Sequence, residues 1–184
     1  MNVLAKSRLS VKFQVIAGLA AIVGAVALPQ LFHVIGAVSG LGTSLGETFL
    51  PMHIPVILAG FIAGPFAGAA AGAFSPLVSF ALTGMPGAAI LPFMCIELCV
   101  YGLTAGLLAK TKMPSVCKLL IAQIAGRIVR AGAISLAIFA FGNETLKPAV
   151  MWSNITVGLP GILLQLCVIP LLLYRIDGIK KNER

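Results

Sequence analysis

Six apolar runs, separated by glycine, proline and charged residues, constrain this chain more than any other feature. A helix needs about 20 apolar residues to cross a bilayer, and the first, fourth, fifth and sixth runs reach that length. The second and third runs are shorter and are separated only by Gly64-Pro65, so we predict two short, irregular helices in a hairpin. The predicted spans are 11–38, 52–63, 66–82, 88–109, 116–141 and 150–174.

The composition favours a membrane protein over a soluble or disordered one. Hydrophobic residues make up 59% of the 184 residues and charged residues only 10%, whereas soluble proteins contain about 25% charged residues. We therefore expect an all-α membrane protein, with residues 1–184 forming one compact bundle of six transmembrane helices. The beginning of the chain is also typical of a cleavable signal peptide, but its apolar run continues to Val38, too long for a signal core.

The positive charges predict which way the bundle faces. With six spans, ten Lys and Arg residues fall at the two termini and between the fourth and fifth spans, and only Lys147 falls on the other side. Cytoplasmic loops carry an excess of Lys and Arg, so we expect both termini in the cytoplasm. The net charge of +8 is therefore explained by topology, and no nucleic-acid partner is expected. The ten residues are Lys6, Arg8, Lys12, Lys110, Lys112, Lys118, Arg175, Lys180, Lys181 and Arg184.

Three charged residues lie deep inside the predicted spans, away from the span ends, where a charge is costly and indicates a functional site. At 1.5 Å per residue, Glu97 lies about 13 Å and Arg130 about 16 Å from the outer ends of their spans, so their depths are similar. Arg127 and Arg130, three residues apart, lie on neighbouring parts of one helix face. Because guanidinium binds carboxylate bidentately, we expect Arg130 to contact an anionic ligand, supported by an Arg127–Glu97 pair. The alternative is structural: Glu97 neutralises one Arg, and backbone carbonyls or the interface accommodate the other.

Further polar side chains fall near the outer ends of the spans and are candidates for ligand contact. Each has a structural alternative: His53 and Trp152, for example, are also typical of the membrane interface. The loop 39–51 is long and Gly-rich, and we expect that it can fold over a pocket as a lid. The candidates are His53, Trp152, Asn154 and Gln165.

Motifs of catalysis and of metal or phosphate binding are missing from the sequence, so we expect no enzyme and neither a cofactor nor a metal. The four cysteines lie in apolar surroundings without a Cys-x-x-Cys motif and are interpreted as small packing residues. Two other classes stay open at this point. One is an intramembrane enzyme that uses Glu97 or His53 as acid or base, and the other is a self-sufficient secondary transporter with Glu97 as a proton site.

A series of short motifs follows in a fixed order from the first span to the fourth. Their order and spacing over residues 10–175 resemble the substrate-binding S components of energy-coupling factor (ECF) vitamin importers. The motifs are Ala17-x-x-x-Ala21, Leu50-Pro51-Met52-His53-Ile54-Pro55-Val56, Gly60, Gly64-Pro65, Gly68, Gly72, Thr83-Gly84-Met85-Pro86, and Glu97-x-x-x-Tyr101-Gly102-x-x-x-Gly106.

The resemblance implies a receptor in the bacterial cytoplasmic membrane that binds one vitamin or vitamin precursor with high affinity from outside. Such a subunit docks on a coupling membrane protein that carries two cytoplasmic ATPases, and topples to release its cargo. In that family small residues of the first helix pack on the coupling protein, and the resemblance implies this role for Ala17 and Ala21. The pocket lies between the loop after helix one and the outer halves of helices four, five and six.

The charge balance narrows the expected ligand. Arg127 and Arg130 outnumber Glu97, which favours a carboxylate such as pantothenate, biotin, niacin or folate over a cation such as thiamine. With one Trp and two Tyr in the chain, stacking on a large flat ring is limited. We therefore favour pantothenate.

Overall fold

A computed structural model describes residues 9–182 apart from 43, 144, 146–147 and 150–155. This described part of the chain is all-helical and contains no strand. Its helices are α1 (Val11–Val38), α2 (Ser44–Phe49), α3 (His53–Ala63), α4 (Pro65–Thr83), α5 (Leu91–Leu108), α6 (Ser115–Phe139) and α7 (Leu159–Asn182).

Six segments of the described chain are long and apolar enough to cross a membrane. The predicted six-span, all-helical architecture is confirmed. The short helices α2 and α3 together form the second segment, Ser44–Ala63, which extends further towards α1 than the predicted span. In α7 the apolar segment is Leu159–Ile176, and residues 150–155 of the predicted sixth span lie outside the described residues.

The predicted break between the second and third spans occurs at Gly64. Its φ of 99° lies in a region that only glycine adopts readily, and α4 begins at the next residue with Pro65 in its first turn. The third span is more regular than expected, because α4 continues for 19 residues with Pro76 inside it. The second span is irregular as expected, since it consists of two short helices, α2 and α3, but with 20 residues it is not short.

Glycines bring α3, α4 and α5 into backbone contact. A Cβ atom added to Gly68 would lie 2.6 Å from the Cα of Gly60 and 2.8 Å from the carbonyl carbon of Gly102, closer than real Cβ atoms approach. In a bilayer no hydrophobic force drives helices together, so such close approach is a main source of packing energy. The core around this contact includes Val56, Ile57, Ala71, Leu98 and Tyr101, all fully buried.

Candidate functional site

A cavity of about 380 Å³ opens at the end of the bundle where α3 and α5 begin. The predicted lid loop contributes to it: residues 44–49 of that loop form the helix α2, which contacts α1 and α7 and gives Gly46 and Glu47 to the lining. The polar lining residues are His33, Glu47, His53, Ser79 and Arg130. The apolar lining residues are Pro29, Leu50, Pro51, Met52, Met85, Pro86, Ile90, Met94 and Val157.

An ion pair joins α5 and α6 beside the cavity. Arg130 Nη1 donates a hydrogen bond to Glu97 Oε2, and Tyr101 Oη donates one to Glu97 Oε1 at 2.7 Å. Glu97 is 1% exposed and Arg130 8%, so the pair is desolvated and each charge depends on its partner. Glu97 and Arg130 were expected at similar depths in their spans, and in the structure they are in contact. Glu97 itself does not line the cavity, but it orients a guanidinium that does.

The expected Arg127–Glu97 pair is wrong, because Arg130 is the partner of Glu97. The buried stripe of α6 runs through Gly126 and Arg130, four residues apart, and Arg127 lies beside that stripe, half-buried and one turn deeper. Among the residues that the structure describes, no carboxylate lies within ion-pair distance of Arg127. Arg127 is also not part of the cavity lining.

His53 begins α3 as a buried residue of the cavity wall. Its side chain is 3% exposed and its ring lies 5.4 Å from the ring of Tyr101, measured between centroids. The Nδ1 atom has no hydrogen-bond partner, and the same holds for Nδ1 of His33 on α1. The sequence-based alternative, an interfacial His53 in contact with headgroups, does not fit this burial.

Gln165 connects α6, α7 and the turn before α3. It accepts a hydrogen bond from Gln123 Nε2 at 2.8 Å, and its own Nε2 lies 3.5 Å from the carbonyl oxygen of Leu50. Leu50 has a φ of 49°, which is uncommon for a residue with a side chain. Gln165 is therefore placed to support a cavity-lining turn rather than to line the cavity itself.

The remaining predicted site residues lie elsewhere. Trp152 and Asn154 are outside the described residues. Ala17 and Ala21 are half-buried on α1, and Ala21 packs against the core of the bundle. Apolar side chains beside them, such as Ile16, are exposed.

Sequence reasoning did not identify Tyr101, His33 and Ser79 as members of the site. A signal existed for Tyr101, because it follows Glu97 by four residues and so shares its helix face. For His33 the signal was weaker: it is one of two histidines and lies in an otherwise apolar span. Ser79 offered none, since small polar residues are common in membrane helices.

The fold and the site together define a class: a multi-pass helical membrane protein with a cavity at one end of the bundle and a buried, charged network beside it. A family model for the substrate-specific component of ECF transporters matches residues 10–173. The chain belongs to this family, as its motifs predicted, and is a transporter subunit rather than an enzyme. It therefore associates with an ECF module and a small-molecule substrate. Comparisons with curated proteins and with solved structures find no match.

Proposed function

We propose that this chain, as one integral membrane domain over residues 1–184, is the high-affinity receptor for an anionic vitamin or vitamin precursor, with pantothenate the favoured ligand. The observation that carries the proposal is Arg130, a buried cation in the cavity wall. Guanidinium has five N–H donors, so it can bind Glu97 and a ligand carboxylate at the same time. Arg127 lies one turn further along α6 from the cavity and has no carboxylate partner among the described residues. Its charge therefore makes the electrostatic potential at Arg130 more positive.

The size and lining of the cavity support a small, non-planar acid. A volume of about 380 Å³ is near the lower end of the range of roughly 300–1,000 Å³ for ligand pockets. The described lining contains methionine, proline and aliphatic side chains but no Phe, Tyr or Trp. An aliphatic acid such as pantothenate suits these walls better than folate, which is large and flat.

We further propose that both termini face the cytoplasm of a bacterial cell and that the cavity opens outside. The support is the distribution of Lys and Arg, ten against one, between the two sides of the bundle. The cytoplasmic partners are then two ATPases, joined to this chain by a coupling membrane protein. Of the two small residues of α1 expected to pack on that protein, Ala21 packs against the core of this chain, so the contact would be made by Ala17 and the exposed Ile16 beside it.

The direct test is the binding of pantothenate to the detergent-solubilised protein and to two charge-matched variants. Arg130→Gln should weaken binding about 10- to 150-fold, since hydrogen bonds to charged groups contribute about 1.5–3 kcal/mol. Arg127→Gln removes the same charge from the same helix but outside the cavity lining, and should weaken binding less than about threefold.

Comparing Arg130→Gln with Arg127→Gln distinguishes direct contact between Arg130 and the ligand from the general effect of losing one positive charge on α6. Equal losses in both would show that net charge, not contact with Arg130, governs binding. Heat stabilisation by another vitamin but not by pantothenate would remove pantothenate and leave the receptor role intact. Mass spectrometry of small molecules that co-purify with the chain would then identify the ligand.

A further inference from the structure

A serine of the third span lines the cavity on a different wall from Arg130. Ser79 lies on α4, one turn before that helix ends, and is 2% exposed. In the described part of the chain α4 and α6 do not contact each other, although both contribute to the wall of the same cavity. The pocket expected from the sequence did not include the third span, so Ser79 adds a wall that was not foreseen.

The hydroxyl of Ser79 has no partner within the described protein. It is the middle one of three hydroxyl residues spaced four apart on one face of α4, Ser75, Ser79 and Thr83. Ser75 Oγ donates to the carbonyl oxygen of Ala71 at 2.6 Å, and Thr83 Oγ1 donates to that of Ser79 at 2.8 Å. Serine and threonine commonly bond to the carbonyl four residues back in a helix. Ser79 Oγ makes neither that bond nor another one with the described residues.

The free hydroxyl is open to the cavity. In the described part of the chain, the unpaired side-chain atoms that are completely enclosed are Nδ1 of His33 and Nδ1 of His53, and Ser79 Oγ is not one of them. The oxygen therefore keeps accessible surface in a residue that is otherwise almost entirely buried. Because Ser79 is a lining residue, that surface belongs to the cavity. A hydroxyl that can both donate and accept thus faces the space where a ligand would lie.

We propose that Ser79 is a ligand contact that selects acids with a second, uncharged polar group, a hydroxyl or an amide, away from the carboxylate. Much of the remaining wall is apolar, with Met52, Ile90 and Met94. A ligand without such a group would displace water from the Ser79 hydroxyl and leave it unpaired, which is unfavourable. This inference rests on the proposed function, in which the carboxylate contacts Arg130. The ligand then bridges α4 and α6.

The test compares the binding of pantothenate, which has both kinds of polar group, to wild-type protein and two serine variants. Ser79→Ala should weaken binding about 3- to 10-fold, the usual effect of one hydrogen bond between uncharged groups. Ser75→Ala is the matched control, because Ser75 is equally buried one turn away but is bonded to the backbone and is not a lining residue. It should change the affinity less than about twofold.

The melting temperature of the ligand-free protein separates a ligand contact from a structural role. Ser79→Ala should melt within about 1 °C of wild type or above it, since its hydroxyl has no described protein partner and alanine favours a helix. A melting temperature that falls while the affinity for pantothenate stays the same overturns the inference, because the hydroxyl would then act on the fold.

A second acid identifies the group that Ser79 contacts. N-(3,3-dimethylbutanoyl)-β-alanine has the skeleton and the amide of pantothenate but neither hydroxyl. If Ser79 contacts a hydroxyl, Ser79→Ala and wild type should bind this acid equally well. If the loss in Ser79→Ala is as large as for pantothenate, the contact is with the amide. Both results support Ser79 as a ligand contact.

Thiol labelling tests the inference without any ligand. In a background with the four native cysteines replaced by alanine, Ser79→Cys should react with a small, water-soluble methanethiosulfonate reagent, and Ser75→Cys should not. An unreactive Ser79→Cys overturns the inference, since the side chain would then not face the cavity.

The outcomes distinguish this inference from the function on which it rests. Wild-type protein that binds pantothenate no better than Ser79→Ala overturns the role of Ser79 and leaves the acid receptor intact. Wild-type protein that does not bind pantothenate removes pantothenate from the proposed function. The contrast in labelling between Ser79→Cys and Ser75→Cys then decides whether Ser79 stays part of the site.

Discussion

The hydroxyl group of Tyr101 provides the most direct test of the buried network. Tyr101 is fully buried and donates to Glu97 Oε1 at 2.7 Å, while Arg130 donates to Oε2. The substitution Tyr101→Phe removes one atom and leaves the ring packed against His53. Glu97 then keeps its cation but has one desolvated oxygen without a donor.

The expected cost follows from the charge on the acceptor. Hydrogen bonds between neutral side chains in membrane proteins average only about 0.6 kcal/mol, whereas bonds to charged groups are worth about 1.5–3 kcal/mol. The carboxylate is 1% exposed, so the second range applies. At about 2–4 °C per kcal/mol for a chain of this length, the melting temperature should fall by roughly 3–12 °C.

The assay is the apparent melting temperature in detergent at a fixed scan rate. The chain provides a matched control, because Tyr174, the second of its two tyrosines, is 76% exposed. Tyr174→Phe should melt within about 1 °C of wild type. If Tyr101→Phe melts as high as Tyr174→Phe, the hydrogen bond to Glu97 contributes nothing and the network is not a source of stability. In a Glu97→Gln background the loss should shrink, since the charged acceptor is gone.

Two further substitutions test how the helices are held around the site. Gly126→Ala would bring a Cβ onto the ring of Tyr101 and should destabilise the protein by about 1–3 kcal/mol. The control is Gly132→Ala, which has open space around it and should be neutral or slightly stabilising in the same melting assay. Equal effects of the two substitutions would contradict the close contact between α5 and α6. Gln165→Leu leaves the buried Gln123 without its acceptor and should lower the free energy of unfolding by about 1–3 kcal/mol. The double variant Gln123→Leu/Gln165→Leu should recover most of that stability. A double variant no more stable than Gln165→Leu alone would count against the Gln123–Gln165 hydrogen bond.

The six spans could be predicted because each helix must satisfy its own backbone and cover its own length with apolar residues, whatever its neighbours. The break at Gly64-Pro65 was visible for a similar reason, since the two residues act locally on the backbone. The regularity of α4 was not predicted. Pro76 lies inside it without ending it, and in membrane helices neighbouring groups can accommodate a proline.

The site was predicted in part. Depth along a helix can be counted, so Glu97 and Arg130 were expected at one level and they do meet. Which of two nearby arginines faces α5 depends on how α6 is rotated about its axis. That rotation follows from the buried stripe through Gly126, which packs on the ring of Tyr101, and a count along the chain does not reveal it.

The sequence by itself determined that this chain crosses a membrane six times, which family it belongs to and at what depth its buried charges lie, because these properties depend on residue order along single helices. Only the tertiary structure decided that Arg130 is the partner of Glu97, and that His33 and His53, from separate helices, line one cavity. The physical reason is that helix rotation and contact between distant segments result from packing between side chains far apart in the chain.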